Sequence, residues 1–378
     1  MSEHLDVRLL AGTRESDAAT GQGYFPVITY LGGEELFLVY RGGAGHLGLD
    51  GRLDSALSID GGLTWSPPEK IVDSDWDDRN PAAGVAPDGT VVLAYHRNGS
   101  YTENGVYKPD LAKIDNRMIY SRDRGKTWSC DTPIKFKLMN TPTDDLQILS
   151  IHNGGSAFGK IFVDDGVLHM LAYGGYLPNI NIPNNQTICI GKSSTPTCIL
   201  RSRDNGKTWG DPTLVALGLN ESDVAILPDG RWVFVARSED EDEQAIHACI
   251  SEDHGYNWHL IGRITEPREH PPDITLLSNG WLLLLFGHRN PPYGVQGRIS
   301  KDGGITWDEQ RLLLDDSLPG GDIGYPSTAL LENGRLVTAY YTAGTNNRQW
   351  DLYHATDASC KVVSYNETEL INHWSIFR

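Results

Sequence analysis

The sequence predicts an all-β fold, a six-bladed β-propeller, on three observations. An octapeptide pattern, Ser-x-Asp-x-Gly-x-(Thr/Asn)-Trp, occurs five times, six apolar hairpins are interleaved with it, and no segment carries a helical period of more than two turns. The copies begin at Ser58, Ser121, Ser202, Ser251 and Ser300, at separations of 63, 81, 49 and 49 residues. Periods near this length belong to propellers and other repeat arrays.

Each octapeptide reads as a turn between two strands. Asp60, Asp123, Asp204, Asp253 and Asp302 stand where a carboxylate accepts from backbone N–H groups ahead of it. The Gly two places on supplies positive φ, and the closing Trp is an apolar plug between neighbouring sheets. These carboxylates are expected to be structural.

The hairpins run from Pro26 to Arg41 around Gly32-Gly33, Pro81 to Tyr95 around Asp88-Gly89, and Ala157 to Tyr173 around Asp165-Gly166. Three more run from Val224 to Arg237 around Asp229-Gly230, Ile274 to Gly287 around Asn279-Gly280, and Ser327 to Tyr341 around Asn333-Gly334. Asp-Gly and Asn-Gly between β-rich runs are strong hairpin signals. After the sixth, Trp350 to Asp357 reads as a strand entering a decayed octapeptide. The chain is expected to be one domain over residues 1–378, with one blade closed by strands from both ends.

Composition bounds the partners. Charged residues make up 22% and hydrophobic ones 39%, and no apolar run is long enough to span a bilayer. A net charge of −18 has the wrong sign for nucleic acid or an anionic membrane surface, yet it allows an acidic small ligand wherever arginines gather locally. The start, Met1 to Asp6, has no signal-peptide pattern, so the chain as given reads as cytoplasmic, or as exported if a signal was removed. Cys130, Cys189, Cys198, Cys249 and Cys360 are odd in number and lack metal-site spacing, so free thiols are expected; Cys189 and Cys198 are the one pair that could bridge. No spacing of Asp, Glu or His calls for a metal, and no cofactor is implied.

A propeller names no chemistry, so function must come from residues at the mouth of the central channel, where the hairpins open. The octapeptide is the Asp-box, or BNR repeat, and the chain resembles the sialidase superfamily over essentially its whole length. Asn220-Glu221-Ser222-Asp223 resembles the segment carrying the sialidase glutamate, with Arg237 closing that hairpin, and Gly324-Tyr325-Pro326 resembles the segment presenting the sialidase tyrosine. The resemblance implies that Tyr325 attacks the anomeric carbon while Glu221 takes its proton. A phenol has a pKa of about 10 and needs such a base.

Sialidases also clamp a substrate carboxylate with three arginines, since guanidinium forks fit carboxylates. Where the first should stand this chain has Tyr24-Phe25-Pro26; the second corresponds to Arg237; Tyr293 falls nearest the third, with Arg289 and Arg298 as neighbours that could reach in. Arg41 matches a further sialidase arginine, and the Gly-rich loop after it offers Asp50, Asp54 or His46 as the acid, with Asp50 favoured. Arg79, His270 and His288 join the substrate-binding candidates, and His96, His152 and Lys160 also stand at strand ends. This pattern resembles the broad group of bacterial Asp-box proteins that are sialidase-like by similarity. The expected function is an exo-glycosidase hydrolysing a terminal, possibly acidic, sugar of an oligosaccharide or glycoconjugate. A uronide-directed lyase using histidines, and a carbohydrate-binding propeller without catalysis, stand as alternatives.

Overall fold

All six expected hairpins form, each with its turn at the Gly-bearing dipeptide. The computed structural model describes residues 4–111, 113–137, 147–148, 155–174, 188–344, 353 and 357–376. Of the sequence expectations, His152 and most of the Trp350–Asp357 stretch lie outside them.

The first sheet runs in chain order, Tyr24–Gly32, Glu35–Gly42, Arg52–Ser58 and Glu69–Val72, all antiparallel. Sheets of the same plan open with Leu219–Ile226 and with Glu269–Leu276, and His4–Asp6 adds a parallel edge strand to the latter. The last sheet takes Ile323–Leu330, Arg335–Thr342 and Ser359–Asn366, and Arg14–Thr20 from the other end of the chain completes it. Between the first sheet and the one opened by Leu219–Ile226 lies a ten-stranded sheet. Within it, Asp77–Val85 and Ser156–Asp164 each open an antiparallel run, and a short parallel pairing, Gly159 with Ala82 and Lys160 with Ala83, joins them.

The arrangement is propeller-like because alternate residues of one strand serve opposite interfaces. Leu36 and Leu38 pack on Val337 and Ala339 of the last sheet, while Phe37 and Val39 pack on Val91 and Leu93 of the next run. The pattern continues through Val92 with Met170, Leu171 with Phe234, Val233 with Leu284, and Leu285 with Leu336, so the apolar clusters close a circle. Burial on both faces explains unbroken apolar runs such as Leu282–Phe286, which a strand with one wet face would not tolerate.

The octapeptides fold as predicted. In each, the Ser hydroxyl accepts from the Gly N–H at 2.8–3.0 Å, and one Asp oxygen accepts from the seventh residue's N–H at 2.8–2.9 Å. The other Asp oxygen takes that residue's side chain at 2.6 Å. At Asp123 the Thr127 side-chain and backbone donors hold the carboxyl at about 2. The glycine is required twice over: Gly62 has φ +80°, and a Cβ there would meet Val337 of the last sheet at 2.5 Å.

One element departs from expectation. Glu367–Ile376 is an α-helix of ten residues, beyond the two-turn limit read from sequence. Only Leu370 and Trp374, one turn apart, are fully buried apolar side chains, and that stripe is too short to register as a period. Trp374 also donates to Asp308 at 2.8 Å. All five cysteines are free, so Cys189 and Cys198 do not bridge.

Candidate active site

Each inner strand breaks register at one place near its start: between Tyr24 and Val27, Arg79 and Ala82, Phe158 and Ile161, Leu219 and Ser222, Glu269 and Pro272, and Gly324 and Ser327. A bulge re-aims the side chain it carries. Here the residues inside the bulges include Phe25, Asn80, Glu221, His270 and Tyr325. Phe25, Asn80 and Tyr325 sit at φ +54°, +49° and +50°, each before a proline. Left-handed backbone at an aromatic residue costs on the order of 1–3 kcal/mol and marks an over-determined position. Four of the six inner strands carry proline directly after the bulged residue, a signal that could have located the ring from sequence, since proline within sheets is confined to bulges and edges.

Tyr325 and Glu221 meet at the centre. The Tyr325 hydroxyl donates to Glu221 Oε1, and Arg237 donates to Glu221 Oε2 at 3.0 Å. Burial, then the Glu221 charge, pushes the Tyr325 phenol well above its ordinary pKa, against the pull of Arg289 and Arg237. The phenol therefore rests protonated beside a carboxylate able to receive that proton. Phe25 packs against its ring at 4.8 Å, Tyr341 at 5.6 Å and Phe158 at 5.9 Å.

Cations surround this pair despite the acidic chain. The Arg289 guanidinium lies 5.8 Å from the Tyr325 ring centre and donates to the Ile323 carbonyl at 3.0 Å. Its Nε, and that of Arg237, are buried without a hydrogen-bond partner among the described residues. Arg79 stands over Phe25 at 5.5 Å and contacts Asp77 at 3.4 Å. His270 is buried, and neither ring nitrogen has a partner among the described residues. Burial, then the charges of Arg289, Arg237 and Arg268, holds its pKa well below 6.5, so it is a neutral imidazole.

The loop after Arg41 is arranged differently from the sequence expectation. Arg41 is wholly buried and donates to Asp77 from Nε at 3.0 Å and from one terminal nitrogen at 2.7 Å. Its remaining donors hold the carbonyls of Ala44, Gly45 and Gly48, so it anchors the loop. Asp50 is exposed in a turn, and Asp54 is paired with Arg52 at 2.9 Å. His46 is the member of the three that reaches the aromatic wall, edge-on to Phe25 at 4.9 Å, with Nδ1 3.0 Å from Asp322.

Other candidates face elsewhere. His288 binds Glu269 at 3.1 Å, in a network with Arg311; Tyr293 packs on the apolar cluster around Leu318; Arg298 donates to the Ile264 carbonyl at 3.0 Å. His96 is buried against Ser156 at 2.7 Å, and burial, then Arg79, lowers its pKa to about 3. Lys160 lies under the ring, bound to Asp223 at 2.9 Å and to Asp273, beside a cavity of about 30 Å³ with room for a water. A larger hollow of about 390 Å³, near Asp88, Arg122 and Lys207, holds none of the mouth residues. Sequence reading missed Asp77 and Asp322 as partners, because each lies far in the chain from the residue it orients.

Fold and site together define a propeller-like all-β protein with a tyrosine–glutamate pair ringed by arginines at its hub. Residues 34–336 match the BNR repeat-like domain family, and the chain belongs to that family. It is 28% identical over 233 residues to a sialidase of Clostridium perfringens, covering 58% of this chain and 55% of that protein. A sialidase of Paraclostridium sordellii is 24% identical over 233 residues, covering 58% and 52%. The chain thus spans about half the length of the curated relatives it matches. Among solved structures, an intramolecular trans-sialidase from Ruminococcus gnavus superposes with a TM-score of 0.62 at 14% identity, over 96% of this chain and 98% of that one. A protein of unknown function from Dyadobacter fermentans gives 0.67 at 19%, over 94% and 100%. These two likenesses concern the fold.

Proposed function

We propose that the chain is a sialidase-like exo-glycosidase, one six-bladed propeller domain with five Asp-boxes, that hydrolyses a terminal sugar of an oligosaccharide or glycoconjugate. The observation that carries this reading is the hydrogen bond from Tyr325 to Glu221 at the hub. Tyr325 attacks the anomeric carbon as Glu221 takes its proton, forming a glycosyl-tyrosine that water later resolves. A tyrosine nucleophile is a recognised exception to the two-carboxylate plan of glycosidases. Arg237 fixes the Glu221 carboxylate, and the Nε–H groups of Arg237 and Arg289, without partners among the described residues, suit an acidic substituent on the sugar.

A second reading has one specific observation behind it. The neutral His270, with both nitrogens available among cations, suits proton abstraction beside a uronate carboxylate, which is lyase chemistry. Both readings are tested by incubating wild type and Tyr325→Phe with sialosides, uronides and neutral glycosides and identifying products by mass and absorbance. Hydrolysis of one class, abolished in the variant, supports the glycosidase. An unsaturated product selects the lyase, and binding without turnover selects neither.

A further inference from the structure

We infer that His46, oriented by Asp322, is the group that protonates the leaving oxygen and later activates water at this site; the inference rests on the tyrosine glycosidase reading above. Of the three loop candidates, Asp50 is exposed in its turn and Asp54 is committed to Arg52. His46 is joined to that pair by ring contacts. It packs edge-on against Phe25 at 4.9 Å, and Phe25 packs on Tyr325 at 4.8 Å, so the His46 and Tyr325 rings are no more than about 10 Å apart, centre to centre. Phe25 thus holds the proposed acid and the nucleophile on one aromatic wall.

The partners of His46 are those an acid/base histidine requires. Nδ1 lies 3.0 Å from Asp322 Oδ1, and the same oxygen accepts from the Tyr341 hydroxyl at 2.6 Å. Tyr341 in turn packs on Tyr325 at 5.6 Å, which fixes the dyad relative to the nucleophile by a second route. Burial opposes ionisation of Asp322, but His46 and Tyr341 overcome it and hold the carboxyl at about 2. The Asp322 oxygen at Nδ1 orients the ring and leaves Nε2 to exchange the proton. The Asp322 side chain is 2% exposed and the His46 ring 22%, so the oriented ring is reachable and its orienter is not.

The loop is pinned on either side of the ring. Arg41 holds the carbonyls of Ala44 and Gly45, the Gly45 N–H donates to the Tyr353 carbonyl at 3.2 Å, and the Gly48 N–H donates to the Tyr101 hydroxyl at 3.0 Å. His270, also at the mouth, has guanidinium groups as its charged neighbours, which disfavour the imidazolium that a proton donor must be.

The protons balance over the cycle. As Tyr325 Oη bonds to the anomeric carbon and the glycosidic bond breaks, Glu221 receives the phenol proton and His46 Nε2 gives its proton to the departing oxygen. Neutral His46 then takes a proton from water as the water oxygen bonds to the anomeric carbon. Tyr325 leaves with the proton that Glu221 returns.

The test compares two glycosides of the sugar that wild type hydrolyses, one with a dinitrophenol leaving group and one with an alkyl alcohol. His46→Ala should lose roughly 10²–10⁴-fold in kcat/KM on the alkyl glycoside and little in kcat/KM on the dinitrophenyl one, whose leaving group needs no proton, while kcat on the latter falls because release of the intermediate has lost its base. Azide should restore breakdown of the intermediate. Asp322→Asn should lower kcat/KM on the alkyl glycoside and spare it on the dinitrophenyl one, and His46→Gln with an unchanged melting temperature separates chemistry from folding. Equal losses of kcat/KM on both substrates, or no loss on either, overturn the dyad alone. A wild type that hydrolyses no glycoside of any class overturns the glycosidase reading and the dyad with it.

Discussion

Replacing Arg41 by Met keeps most of the side-chain volume while deleting every donor of a wholly buried guanidinium. Asp77, also fully buried, then retains the Tyr101 hydroxyl at 2.5 Å and Arg79 at 3.4 Å but loses its two shortest guanidinium contacts. Breaking a buried ion pair from one side costs about 3–5 kcal/mol, mostly the penalty for the charge left behind. The loop carbonyls of Ala44, Gly45 and Gly48 lose their donor as well, but this loop is partly solvated, so water limits that cost to about 0.5–1 kcal/mol each. Together these terms give an expected loss of about 4.5–8 kcal/mol, a roughly 10³–10⁶-fold smaller folding constant. Urea unfolding of Arg41→Met, Asp77→Asn and the double variant measures it, and the double variant should be less destabilised than the sum of the singles. A loss below about 1 kcal/mol for Arg41→Met, or strict additivity in the cycle, would refute the reading of Arg41 as the anchor of this loop.

Asp78 is buried, and burial, against donors from Ser74, raises its carboxyl to about 6. The folded pKa exceeds the unfolded one, so its stabilising contribution is complete below about pH 4 and is lost as pH rises through about 6, on the order of 2–3 kcal/mol; Asp78→Asn should flatten urea midpoints over that window. His270→Phe removes two buried nitrogens that have no partner among the described residues and should leave stability unchanged or raise it by up to about 2 kcal/mol, while turnover falls by roughly tenfold or more. Paired unfolding and kinetic assays check both halves of that trade. Gly62→Ala meets both the φ of +80° and the Val337 methyl at 2.5 Å, and should cost about 2–4 kcal/mol by calorimetry.

What the sequence discloses here is what is local. The Asp-box bonds span two to four residues, so Ser58, Asp60 and Thr64 announce the turn by spacing alone. The hairpins are equally short in range. Tyr325 and Glu221 were legible because each stands just ahead of such a hairpin, in a segment of familiar pattern. The rest of the site depends on pairs that only closure of the ring brings together: Arg41 with Asp77 across 36 residues, and His46 with Asp322 across 276. Arg41 read as a substrate ligand because the position suggested a guanidinium and nothing nearby showed that Asp77 would consume it. Tyr293 stood nearest the third arginine's position by counting, yet its strand sets it, half-buried, against the apolar cluster around Leu318, while Arg289 lies over Tyr325. The helix at Glu367–Ile376 escaped notice because tertiary packing of Leu370 and Trp374, rather than a long apolar stripe, stabilises it.

The most direct measurement is the mass of the peptide containing Tyr325 after acid quenching of turnover with a fluorinated glycosyl fluoride, which forms the glycosyl-enzyme faster than water releases it. A covalent sugar on Tyr325, absent in Tyr325→Phe and slowed in Glu221→Gln, is the predicted result. Sustained hydrolysis with no adduct, together with wild-type turnover by Tyr325→Phe, would contradict the account.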